Sequence, residues 1–124
     1  MKILIAEDDP IMLATIEHHL TKENFSTVSV KDGTEALAAM ESFQPDLLIT
    51  DILMPLTSGL ELIGIIRSDH SKKIPILVLS SVDQEDTVFE ALSLGANDFI
   101  TKPFTPSELN NRIKRLLQKK KNFI

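Results

Sequence analysis

Side chains able to do chemistry stand directly after short apolar runs. Glu7, Asp8 and Asp9 follow Ile3 to Ala6, Asp51 follows Leu47 to Thr50, Ser80 and Ser81 follow Ile76 to Leu79, and Lys102 stands behind Thr101 after Phe99 and Ile100. Carboxylates gathered at one edge repel one another until one takes a proton or a cation sits between them. A hard divalent ion suits them: magnesium prefers oxygen ligands at about 2.1 Å in an octahedron and keeps several waters, so one or two carboxylates plus a substrate phosphate suffice. The hydroxyls and the ammonium are groups that bind phosphate oxygens. Histidine is not needed; His18 and His19 fall in the first helical stretch and His70 near the end of the third, none at a strand end. The chain has no Cys, which excludes a disulfide framework, a thiolate zinc site and a thiol nucleophile. Taken singly, each acid reads as a solvated loop or a cap, each hydroxyl as a cap and Lys102 as an exposed ammonium. Taken together, four run ends delivering polar groups are what a site on a rigid scaffold requires.

The elements that must position these groups are legible in the periodicity. Five apolar runs, Ile3 to Ala6, Thr27 to Val30, Leu47 to Thr50, Ile76 to Leu79 and Phe99 to Ile100, alternate with longer stretches of helical spacing. The first, third and fourth are apolar at consecutive positions, as strands covered on both faces must be, whereas Thr27 to Val30 alternates like a half-exposed strand near an edge. An α/β fold follows, a parallel sheet with helices on both faces, whose ligands bind beyond the carboxyl ends of the strands. Pro10 suits a first helical position, Asp32 with Glu35 makes a capping box, Thr105, Pro106 and Glu108 open the last helix, and Gly95 suits a left-handed helix terminus.

The 124 residues, 43% hydrophobic and 25% charged with four Gly and six Pro, describe one soluble domain over residues 1–120, with 121–124 a tail or the start of a linker. No apolar run is longer than a strand and acids begin at Glu7, which argues against a membrane span or secretory signal and for the cytoplasm. The formal charge of −5 is uneven: residues 1–101 carry six basic and 17 acidic side chains, residues 102–124 seven and one. The basic end suits the last turns of a helix better than a nucleic-acid patch.

The acidic cluster Glu7, Asp8, Asp9 followed by Pro10, the segment Asp51-Ile52-Leu53-Met54-Pro55 with Gly59, the hydroxyl at Ser80 and the segment Lys102-Pro103-Phe104 together resemble the receiver domains of two-component response regulators, across the whole chain. The resemblance implies a flavodoxin-like doubly wound sheet of order 2-1-3-4-5 with five helices. It also implies that Asp51 accepts a phosphoryl group from a histidine kinase or histidine phosphotransfer protein, in a Mg2+-dependent reaction with no other enzymatic activity. By the same resemblance, Asp8, Asp51 and the backbone carbonyl of Leu53 ligate the ion and Glu7 acts through a water. Ser80, the Ser81 backbone and Lys102 bind the phosphoryl oxygens, the Lys102–Pro103 bond is cis, and Ser80 and Phe99 form the switch. Glu7 stands where Asp is commoner and Phe99 where many relatives have Tyr, so no tyrosine hydroxyl anchors the switch.

In the family the output surface comprises the fourth helix, fifth strand and fifth helix, here about residues 83–118. Acidic Glu85, Asp86, Glu90 and Asp98 there oppose Arg112, Lys114 and Arg115, so two copies could pair on phosphorylation. Nucleic acid would be reached only through an effector domain beyond Ile124. Two other classes compete. A haloacid-dehalogenase-type phosphohydrolase wants an acid two residues after its nucleophile, where Leu53 stands; a receiver-like binding module that is never phosphorylated would lack the acceptor or the lysine, and both are present.

Overall fold

The structure is a computed structural model that describes residues 1–69, 71–82 and 84–122, with the backbone alone for 119–122. His70 and the side chains of Lys119 to Lys121 lie outside the described residues. Strands and helices alternate: β1 (Lys2–Ala6), α1 (Pro10–Lys22), β2 (Ser26–Val30), α2 (Gly33–Phe43), β3 (Leu47–Thr50), α3 (Gly59–Ser68), β4 (Ile76–Ser80), α4 (Glu85–Leu94), β5 (Asp98–Thr101) and α5 (Pro106–Asn122). All pairings are parallel and the order is β2-β1-β3-β4-β5.

Consecutive apolar residues in the three central strands feed two cores. Leu4, Leu48, Ile76 and Val78 point toward α2, α3 and α4, where they meet Ala36, Met40, Leu62, Ile63 and Ala91. Their neighbours Ile3, Ile5, Leu47, Ile49, Leu77 and Leu79 point to the other face, under Leu13, Ile16 and Leu20 of α1 and Leu109, Ile113 and Leu116 of α5. A strand alternates its side chains between faces, so only apolar residues at every position can serve two cores at once. β2 pairs with β1 alone, and its pattern runs from exposed Ser26 through half-buried residues to buried Val30, as an edge position allows.

Side-chain caps fix where α1, α2, α3 and α5 leave the sheet's carboxyl edge. Asp9 Oδ1 accepts from Ile11 N–H at 3.0 Å, Asp32 Oδ1 from Glu35 N–H at 2.8 Å and Thr105 Oγ from Glu108 N–H at 3.1 Å. The Glu35 carboxylate reaches back to Lys31 N–H, one residue before the cap, at 2.9 Å. Ser58 caps α3 by accepting from Glu61 N–H at 3.2 Å. α4 has no side-chain cap at Gln84 and ends at Gly95, whose φ of +121° favours glycine. Among the described residues no helix is long and apolar enough to cross a membrane.

Candidate functional site

The parallel register brings the ends of β1, β3, β4 and β5 to one edge. Backbone bonds carry the ladder past the strands: Glu7 N–H donates to Val30 O at 3.0 Å, Asp51 N–H to Ala6 O at 3.0 Å and Lys102 N–H to Ser80 O at 2.9 Å. The side chains that follow are therefore fixed to the sheet itself. Glu7, Asp8 and Asp51 each present an oxygen, all within 4.8 Å of one another, with Glu7 and Asp51 buried and Asp8 exposed. The Lys102 ammonium bridges the buried pair, at 2.7 Å from Glu7 Oε2 and 3.2 Å from Asp51 Oδ2.

The electrostatics follow from burial and an excess of negative charge. Burial pushes the Glu7 carboxyl above its ordinary range, the Lys102 hydrogen bond opposes this, and the Asp51 charge adds to the rise. Burial would depress Lys102, but its hydrogen bond to Glu7 and the charges of Asp51 and Glu7 hold the ammonium above the usual lysine range. The cluster thus favours a bound cation and resists a further negative charge. That donor set, three hard oxygens at one edge with one ligand open to solvent, fits a magnesium ion.

Sequence reasoning missed the backbone groups that aim these acids. Ile52 N–H donates to Asp51 Oδ1 at 2.6 Å, Thr50 Oγ donates to the Asp51 carbonyl at 2.9 Å, and Asp9 N–H donates to Glu7 Oε1 at 3.2 Å. Backbone donors leave no mark in residue types. Asp9 itself caps α1 and stands apart from the three clustered acids. Ser80 is fully buried, its hydroxyl accepting from Val82 N–H at 3.2 Å, while Ser81 is exposed. Phe99 is half-buried against the first core, and the Lys102–Pro103 peptide is cis. Beside the acids, Asp8, Ile52, Leu53, Met54, Ser58 and Leu60 line an open groove of about 470 Å³.

A flavodoxin-like sheet with acids, a hydroxyl and a lysine at its carboxyl edge defines a class of signalling domain, and comparison with known proteins agrees. Residues 3–114 match the family model of the response regulator receiver domain, and the chain belongs to that family. It is 34% identical over 118 residues to the alkaline phosphatase synthesis transcriptional regulatory protein PhoP of Bacillus subtilis, covering 95% of this chain and 49% of that one. The chain spans about half the length of the curated relatives it matches. Among solved structures, the BeF3-activated N-terminal receiver domain of Klebsiella pneumoniae RstA superposes with a TM-score of 0.90 at 31% identity, covering 94% of this chain and 98% of that one. The receiver domain of the sensor histidine kinase PA1611 from Pseudomonas aeruginosa, with a magnesium ion coordinated in its active-site cleft, superposes with a TM-score of 0.86 at 27% identity over 94% of this chain and 97% of that one.

Proposed function

We propose that Asp51 is the phospho-acceptor of a phosphorelay, taking a phosphoryl group from the phosphohistidine of a histidine kinase or phosphotransfer protein. An Asp51 carboxylate oxygen forms the new O–P bond as the P–N bond breaks, and the departing electron pair stays on the partner's imidazole nitrogen. The carrying observation is the Lys102 ammonium bound to both Glu7 and Asp51 beside Asp8. Asp8, Asp51 and the Leu53 carbonyl would hold Mg2+, with Glu7 acting through a water. The bound ion supplies the positive charge that lets an anionic carboxylate meet an anionic phosphoryl group. Lys102, the Ser80 hydroxyl and the Ser81 backbone receive the phosphoryl oxygens, which requires the Ser80 hydroxyl to leave Val82 N–H. Exposed Ile11, Leu53 and Leu56 give the partner an apolar rim to dock on.

The domain catalyses only its own phosphorylation and dephosphorylation, in the cytoplasm, over residues 1–120. Movement of Ser80 and Phe99 passes the change to α4, β5 and α5. There Phe89 and Leu92 are exposed on acidic α4, and Lys114 and Arg115 are exposed on α5, which suits a phosphorylation-dependent homodimer. Arg112 is already engaged within the chain, by Asp98 at 2.7 Å. The half-length match to DNA-binding relatives supports an effector domain following residue 124, through which nucleic acid would be reached.

Intact mass after incubation with acetyl phosphate tests the assignment. The mass of the protein rises by one phosphoryl group, about 80 Da, only with Mg2+, and Asp51→Asn shows no gain. A protein that never gains the mass is instead a receiver-like binding module without the chemistry.

A further inference from the structure

Gly33 opens α2 and is buried against the loop that joins β3 to α3. A Cβ there would collide with the carbonyl oxygen and the Cβ of Thr57 and lie 2.9 Å from the Thr57 carbonyl carbon. Two of these three atoms are backbone, so a rotamer change gives no relief and the loop itself would have to move. Gly33 does not have a positive φ, and alanine is the better helix former, so the contact alone demands glycine here.

The loop is held at its ends as well. Gly59 N–H donates to Ile52 O at 2.8 Å, and a Cβ on Gly59 would collide with the Asp51 carbonyl oxygen. Between these anchors Leu56 takes a left-handed φ of +69°, a strained conformation for leucine. Gly59 therefore closes the loop on Asp51, and Gly33 stops it from the side. We infer that Gly33 is a positioning residue for the metal site: the start of α2 sets where the loop carries the Leu53 carbonyl relative to Asp51 and Asp8. This rests on the magnesium reading given under Proposed function.

Calorimetric titration of the full chain with MgCl2 tests it. In Gly33→Ala the dissociation constant for Mg2+ rises about tenfold, the scale on which supporting contacts act on metal sites. Phosphorylation by acetyl phosphate returns to the wild-type rate once Mg2+ is raised to saturation. Gly64→Ala is the matched control, because a Cβ there meets only Leu94 Cδ2 at 4.0 Å, and it binds Mg2+ as the wild type does. Thermal unfolding in chelator checks that each variant folds. A folded Gly33→Ala with wild-type affinity overturns the inference. Should that variant not fold, its titration is repeated in trimethylamine N-oxide, which favours the folded state; wild-type affinity there overturns it equally. A wild type that binds no Mg2+ refutes the metal site itself, an outcome distinct from a wild type that binds and a variant that binds as well.

Discussion

Two half-buried cations sit at opposite ends of the sheet and are held by opposite kinds of partner. At the carboxyl edge Lys102 lies between two buried carboxylates. At the amino edge Arg67, near the end of α3, donates to Gly95 O at 3.0 Å, to Lys72 O at 3.2 Å and to Asn97 Oδ1 at 2.8 Å. Asn97 Oδ1 also accepts from Ile76 N–H at 2.8 Å, so one guanidinium ties α3, the α4–β5 turn and the start of β4 together. Its planar fork matches several fixed acceptors at once, and burial lowers its proton affinity. Neutral carbonyls cannot leave or exchange, whereas the acids around Lys102 can trade the ammonium for a metal ion or a phosphoryl group. The chain keeps charge out of balance where it must respond and matched to dipoles where it must hold.

The sharpest break of that contrast is Lys102→Met. Removing a preorganised charge from a site of phosphoryl chemistry costs about 10²–10³ in rate, so acetyl phosphate labelling followed by intact mass should slow by that factor. Arg67→Met should do the reverse: a loss of about 2–3 kcal/mol in urea unfolding, because a charged donor to three acceptors is gone, with the labelling rate unchanged. If both variants lose rate and stability alike, the division between the two ends is wrong.

Glu7→Gln sharpens the same comparison with the smallest effect. Because the folded Glu7 carboxyl is raised, the folded protein binds a proton more readily than the unfolded chain, and stability contributed at this site falls as pH rises through the window between the ordinary carboxyl value of 4.5 and the raised folded value. The charged form is a burden above that window and none below it. Measured in chelator, Glu7→Gln should therefore equal or exceed the wild type at neutral pH by no more than about 1 kcal/mol, with the gap closing toward acid pH, while its affinity for Mg2+ falls. A variant less stable than the wild type at neutral pH would mean that the bond to Lys102 outweighs the burial of the charge.

The site was legible because parallel sheets expose their strand ends at one edge, so acids after apolar runs converge without any knowledge of the loops. The edge place of β2 showed in its alternation and the central places of β1, β3 and β4 in their unbroken apolar runs. Strand order came from the family resemblance, since no periodicity states which strands are neighbours. β5 extends one residue beyond Phe99 and Ile100 on each side, because Asp98 and Thr101 are polar and carry no apolar signal. Contacts that depend on separation in sequence stayed hidden: Glu7 meets Lys102 across 95 residues, and Arg67 meets Asn97 across 30. Gly33 lies unmarked inside the Asp32–Glu35 capping box, because its collision partner Thr57 belongs to another loop.

The two cores do not depend on the chain in the same way. The core beneath α2, α3 and α4 has its last buried members at Ala91 and Ala96, but the core on the other face takes Leu109, Ile113, Leu116 and Leu117 from α5. During synthesis Ile3, Ile5 and Ile49 have only the α1 side chains Leu13, Ile16 and Leu20 as cover until α5 has left the ribosome. That face of the central sheet thus waits, partly covered, for the α5 segment, and this is the interval in which a chaperone would have most to hold.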